Sequence, residues 1–254
     1  MRLFGSYMET SIRAARIFLV WLVVFFAQGM MYTAHRGFDF PEITVLASIF
    51  AVIATAYLVT QISKVGHYRL FVALEIPSAV RESLADLLKT LRAVSLRTRW
   101  VRPENLHVTL KFIGEVPEAK SSAIRGALAG VRSEQPVTLD FRGLGFFSNE
   151  KHPRVFWAGI EASPNLKFLA AEIESAMEKV GIPREQRPFS PHLTLARFEP
   201  PRLPEKLRGA IHEHAARDFG SLRTNQFHLI ESKLKSSGAE YTTVESFPFA
   251  AAEA

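Results

Sequence analysis

Two short segments carry the residue types best suited to chemistry. His107-Val108-Thr109-Leu110 and His192-Leu193-Thr194-Leu195 share the pattern His-x-Thr-Leu and lie 85 positions apart. Each follows a stretch containing proline, Pro103 in one case and Pro191 in the other. The chain has eight histidines, and the chance that two of them would each head such a tetrad is below about one in a thousand. A lone His-x-Thr on a strand is most simply a buried histidine bonded to its neighbours. The matched pair calls for another explanation.

In a strand, residues i and i+2 point to the same face. His107 therefore shares a face with Thr109, and His192 with Thr194. If the two strands meet, two imidazoles and two hydroxyls converge, a set that suits a phosphodiester. Imidazole titrates near neutrality, so one ring can take a proton from water while the other gives one to the leaving oxygen. Threonine hydroxyls can donate to the non-bridging phosphate oxygens, whose charge needs support in the transition state. This chemistry needs no metal or cofactor, and the sequence offers no cage for a metal.

Other residues are weaker candidates. Lys111 continues the alternating row from His107 and can be read as a substrate contact or as a solvated lysine at a sheet edge. Arg197 has the opposite parity from His192 and can be read as a contact to the backbone of a phosphodiester substrate near the strand end or as half of a surface ion pair. Phe146, Phe147 and Trp157 are candidates for stacking on a base, although most of the 20 phenylalanines must be core. His212 and His214 fall on a predicted helix, where positions two apart do not share a face. His152 lies in a polar loop.

The elements that must position the pair follow from pattern. Arg69–Ile76 alternates and is rich in β-formers. Leu84, Leu87, Leu88 and Leu91 recur at helical spacing after Ser78, which fits as an N-cap, and the helix runs to about Ala93. Strands are expected at Trp100-Val101, Leu106–Phe112, Val137–Leu144, Val155–Ile160 and Leu193–Phe198. Helices are expected over Pro117–Val131, Asn165–Val180 and Leu203–Ala216. Phe227–Lys235 and Tyr241–Phe249 read as a terminal hairpin around Ser236-Ser237-Gly238. No glycine-rich phosphate loop is present. The mixed order with short links predicts an α+β fold with largely antiparallel sheets, and the repeated tetrad suggests an internal duplication with two pseudo-symmetric lobes.

Composition sets further bounds. The 254 residues include no cysteine, which excludes disulfides, thiolate metal sites and cysteine nucleophiles. The formal charge of +6 fits an anionic partner without identifying one. The apolar residues are concentrated before Gly66, so residues 1–66 and 67–250 are read as separate domains. Residues 17–34 (IFLVWLVVFFAQGMMYTA) and 43–62 (ITVLASIFAVIATAYLVTQI) carry no charge and approach the ~20 residues that span a bilayer. Arg13 and Arg16 precede the first run, and Lys64 and Arg69 follow the second, so a transmembrane hairpin with both ends in the cytoplasm is expected. The rival readings are a signal peptide, disfavoured by the second run and the missing cleavage site, and a translation start at Val65 that would remove both runs and leave a cytoplasmic protein.

The paired tetrads and their surroundings resemble the 2H phosphoesterase superfamily, and within it the RNA 2′,3′-cyclic phosphodiesterase (2′-5′ RNA ligase-like) branch. The resemblance is carried by RLFVALEIP (69–77), RWVRPENLHVTLKFIGEV (99–116), PRVFWAGIE (153–161), PFSPHLTLARF (188–198) and ESKLKSSGAEYTTVESFPF (231–249). It implies a bilobal fold with two antiparallel sheets flanking a cleft. It also implies His107 as proton donor, His192 as proton acceptor and Thr109 and Thr194 as phosphate-binding residues. The implied reaction is hydrolysis of a terminal 2′,3′-cyclic phosphate to a 2′-phosphomonoester, and some members of the family also join RNA ends through a 2′-5′ bond. The partner is RNA with cyclic phosphate ends or a small cyclic-phosphate nucleotide, the membrane is a further partner if the hairpin is expressed, and the protein is read as a monomer. A membrane-tethered RNA-binding module without catalysis is the alternative from another class; the intact histidines and threonines argue against it.

Overall fold

The computed structural model describes residues 66–236 and 238–249. The two apolar runs before Gly66, and the hairpin expected from them, lie outside the described residues. Among the described residues no helix is long and apolar enough to cross a membrane.

Strand β1 (His67–Glu75) leads through Pro77 into helix α1 (Ser78–Val94). Pro77 holds the N-cap position in an extended conformation and no side chain caps the helix, so Ser78 opens the helix rather than capping it. Val80, Leu84, Leu87, Leu88 and Leu91 form its buried stripe, the i, i+3, i+4 pattern of a helix seated on a core. Strand β2 (Arg99–Trp100) and a 3₁₀ turn at Pro103–Asn105 precede β3 (His107–Pro117). The helix expected over 117–131 is shorter, because β3 runs on to Pro117 and a second 3₁₀ turn occupies Glu118–Lys120 before α2 (Ser121–Leu128). Then come β4 (Val137–Phe147), β5 (Val155–Ala162), α3 (Asn165–Lys179), β6 (His192–Arg197), α4 (Glu205–His212), β7 (Asp218–Thr224), β8 (Gln226–Lys235) and β9 (Gly238–Pro248). Strand β7 was not expected. Its sequence DFGSLRT is mostly polar, and Gly220 interrupts it at φ 106.

The expectation of two separate sheets is corrected. The nine strands of the described residues join in one antiparallel sheet with the order β7-β4-β5-β6-β3-β1-β8-β9, and β2 added beside β6. The two lobes survive as its halves, β7-β4-β5-β6 and β3-β1-β8-β9. They meet where β6 adjoins β3, through the register pair Val108 and Leu193. Both of these side chains are fully buried in the core, and sealing a Val and a Leu from water stabilises the junction by roughly 1.5–3 kcal/mol each. That core also takes in Leu84, Leu88 and Leu91 of α1, Leu169 and Ile173 of α3, and Leu207 and Ile211 of α4. The helices therefore cover one face of the sheet. The other face carries a small separate cluster of Phe71, Ala73 and Ile230, with Tyr241 against it.

Candidate active site

The residue between His and Thr in each tetrad, Val108 or Leu193, faces the core. Alternation then sends His107, Thr109, His192 and Thr194 to the face without helices. Continuing the Val108–Leu193 register by one residue either way would set His107 opposite Thr194 and Thr109 opposite His192. The first six residues of β3 and the six of β6 also share one burial sequence: partly exposed, buried, partly exposed, buried, buried, exposed. The structure thus brings all four predicted residues to one place, related by a local twofold.

Each histidine is held in the same way. Nδ1 of His107 lies 2.7 Å from the carbonyl oxygen of Asn105, and Nδ1 of His192 lies 2.9 Å from that of Ser190. A carbonyl only accepts, so Nδ1 carries the hydrogen in both rings and a neutral ring has its lone pair at Nε2. Neither Nε2, nor the hydroxyl of Thr109 or Thr194, has a hydrogen-bond partner among the described residues.

The aromatic surroundings differ. The ring of Phe71 lies 4.6 Å from that of His107, and Tyr241 meets His107 edge-on at 5.3 Å. On the other side, Phe147 meets His192 at 4.6 Å and an interplanar angle of 90°. Burial pushes both imidazoles below their ordinary value, His107 down to about 4. The nearby Arg197 guanidinium adds to the effect on both rings, and His192 adds to it on His107.

Bulges decide what the remaining candidates do. The β1–β3 register shifts between Val72 and Ala73, so Thr109 pairs with Ala73 while Lys111 pairs with Val72. Cross-strand partners share a face, and Lys111 is therefore turned from the histidine face toward the core. Its Nζ donates to both carboxylate oxygens of Glu174, each at 2.8 Å, and to the carbonyl of Pro183 at 2.7 Å. An ammonium has three donors, and all are used. The substrate-contact reading of Lys111 is corrected: the side chain ties α3 and the segment after it to β3.

Arg197 moves the other way. A register shift between Phe156 and Trp157 pairs Trp157 with Thr194 but Val155 with Arg197. Val155 and Trp157 share a face of β5, so the bulge returns Arg197 to the face of His192 and Thr194, against its sequence parity. It is exposed and makes no ion pair among the described residues. Phe112, at the twofold-related position of β3, pairs with Phe71, faces the same way and is 59% exposed.

Of the aromatic candidates, Phe146 belongs to the core beside Phe156, whereas Phe147 and Trp157 line the site. A Cβ at Gly145 would fall 2.3 Å from ring atoms of Trp157, so the absence of a side chain there makes room for the indole. Sequence reasoning missed Phe71, Tyr241 and Asn105, which reach the site through strand pairings that no local pattern announces. His152 stays in its loop, and His212 pairs with Glu150 away from the site.

Comparisons with known proteins agree on one family. The family model described as LigT like Phosphoesterase matches residues 74–157 and 160–241. Curated relatives named RNA 2′,3′-cyclic phosphodiesterase include one from Archaeoglobus fulgidus, 35% identical over 70% of this chain and 99% of the relative. Another, from Thermus thermophilus, is 37% identical over 70% of this chain and 89% of the relative. Among solved structures, a Thermus thermophilus protein superposes with a TM-score of 0.61 at 32% identity, covering 71% of this chain and 97% of that one. Escherichia coli LigT complexed with 3′-AMP superposes with a TM-score of 0.57 at 28% identity, covering 72% and 98%.

Proposed function

The chain belongs to the LigT-like phosphoesterase family, and on that premise we propose that it hydrolyses 2′,3′-cyclic phosphodiester ends of RNA to 2′-phosphomonoesters. The observation that carries this reading is the twin frame: two imidazoles with Nδ1 bound to a carbonyl, each beside a threonine, with both Nε2 atoms and both hydroxyls unpartnered among the described residues. The relatives' name supplies the substrate class.

In the proposed reaction the cyclic phosphate sits between the two tetrads. The hydroxyls of Thr109 and Thr194 donate to its non-bridging oxygens, and Arg197 adds positive charge from the β6 side. Nε2 of His192 accepts a proton from water as the water oxygen attacks phosphorus. The bond to the 3′ oxygen breaks, and Nε2–H of His107 gives that oxygen its proton. The product is a 2′-phosphomonoester beside a free 3′-hydroxyl. Proton exchange with bulk water restores the starting pair.

The test is product analysis on RNA ending in 2′,3′-cyclic phosphate. A terminal 2′-phosphate is expected; a 3′-phosphate or no product contradicts the reading. Comparing kcat/KM on that RNA with kcat/KM on a mononucleotide 2′,3′-cyclic phosphate separates an RNA enzyme from one acting on small nucleotides. The membrane tether read from residues 17–34 and 43–62 is a separate proposal, overturned if full-length protein is recovered in the soluble fraction without detergent.

A further inference from the structure

The two histidines occupy matching frames on matching strands, yet the chain encloses them unequally. The difference comes from the C-terminal hairpin. Asn105 supplies the carbonyl that accepts from His107 Nδ1, and its own side chain donates from Nδ2 to the carbonyl of Ala239 on β9 at 2.8 Å. One residue thus links the ring of His107 to a strand 134 positions later. Two residues further along β9, Tyr241 lies edge-on to His107 and edge-on to Phe71 at 5.0 Å. Phe71 is itself against the imidazole. Three rings from β1, β3 and β9 therefore touch one another in turn.

Among the described residues His192 has no counterpart of this arrangement. Its carbonyl partner Ser190 lies in the segment between Pro188 and Pro191, and among the described residues no Ser190 side-chain bond ties that segment down. Its ring contact is Phe147.

We infer that the β8–β9 hairpin, through the positioning residues Asn105 and Tyr241, makes the two histidines chemically unequal, leaving His107 the stronger acid and His192 the stronger base. The inference rests on the two-histidine reading above and adds what sets each partner's role. Removing water from one imidazole disfavours its charged form. The hydrogen bond to the Asn105 carbonyl favours the charged ring, as the matching bond to Ser190 does at His192, but burial outweighs it, and the charged groups around His107 do not cancel the effect of burial. Glu75, its register partner on β1, accepts from Thr243 Oγ1 at 3.0 Å and is drawn toward β9. His192 and Arg197 on β6 both oppose a positive charge at His107. Arg102 in the preceding turn is a further cation. A ring that gives up its proton readily suits protonation of a leaving oxygen, and the partner that holds a proton better suits its removal from water.

The test uses the full 254-residue chain with Tyr241→Leu, Tyr241→Phe and Asn105→Ala. Each histidine is titrated by side-chain nitrogen NMR, and kcat and KM are followed on RNA with a 2′,3′-cyclic phosphate end. Tyr241→Leu is expected to move the His107 titration up from about 4 toward the ordinary value of about 6.5 while His192 stays in place. It should lower kcat by roughly 10- to 100-fold with KM within about twofold. Tyr241→Phe keeps the ring and restores both readouts. Asn105→Ala leaves β9 intact and is expected to lower kcat about tenfold at unchanged KM. It carries the test should Tyr241→Leu not fold. Equal movement of both histidines, an unmoved His107 in Tyr241→Leu, or Tyr241→Phe behaving like Tyr241→Leu would overturn the inference. The titrations need no turnover, so a wrong substrate class would show as missing activity with the His107 shift intact.

Discussion

Val108 lies opposite Leu193, and among the described residues no other register pair joins β3 to β6. The contact ties the two halves of the sheet together at the centre of the site. Because each is the middle residue of a His-x-Thr triplet, the buried pair fixes four polar side chains on the opposite face. A change that shifted this one pairing would displace both histidines and both threonines together.

The threonines are expected to act on the transition state rather than on folding. Thr109→Val and Thr194→Val keep shape and remove a hydroxyl with no partner among the described residues. A hydrogen bond to a charged group contributes about 1.5–3 kcal/mol, so each variant should lose roughly 10- to 100-fold in kcat/KM. Steady-state kinetics beside a thermal melt checks this. A melt lowered by many degrees with unchanged kinetics would place the hydroxyls in the fold instead.

Lys111 should behave in the opposite way. It is buried with Glu174 and the Pro183 carbonyl, and removing one member of a buried ion pair costs about 3–5 kcal/mol. Glu174 keeps some solvent contact, so Lys111→Ala is expected to cost somewhat less, on the order of 2–4 kcal/mol, with KM unchanged in the folded fraction. Denaturant unfolding and KM together decide. A raised KM at wild-type stability would return Lys111 to the substrate.

Arg197 and Lys111 show where sequence stops being sufficient. Alternation put Lys111 on the row of His107 and Arg197 off the row of His192. A bulge in each strand exchanged these assignments, and neither bulge has a mark in its own sequence. The tetrads themselves were legible because their residue types, spacing and repetition are local facts. Phe71, Asn105 and Tyr241 were not, since each reaches His107 through a pairing between distant strands. Strand β7 was missed for a different reason: it is a polar edge strand whose apolar alternation is broken by Gly220.

With its guanidinium unpaired among the described residues and turned to the site, Arg197 is expected to bind the phosphate. Arg197→Met should reduce kcat/KM by roughly 10- to 100-fold. It should also raise the pKa of both histidines, since the arginine opposes their protonation. Histidine titration with and without the substitution checks the sign. A fall in either value would contradict the geometry.

The depressed histidines predict how stability and rate vary with pH. A histidine whose folded pKa lies below its unfolded value binds fewer protons in the folded state, so stability rises with pH between the two values. For His107 the window runs from about 4 to about 6.5, and acidification across it should remove on the order of 2–3 kcal/mol. His107→Gln should flatten that slope in melts taken across the window. In the empty site both limbs of the kcat/KM profile should fall below the ordinary histidine value. The limbs of kcat should lie higher, because a bound phosphate anion favours the charged imidazole. Coincident profiles would contradict this.

The most direct test of the two-histidine account is product analysis with RNA ending in 2′,3′-cyclic phosphate, run with wild type, His107→Ala and His192→Ala. A terminal 2′-phosphate is expected from the wild type. Each variant should lose roughly 10²- to 10⁴-fold, with the double variant losing much less than the product of the two. Wild-type turnover that survives either substitution would contradict the two-histidine account.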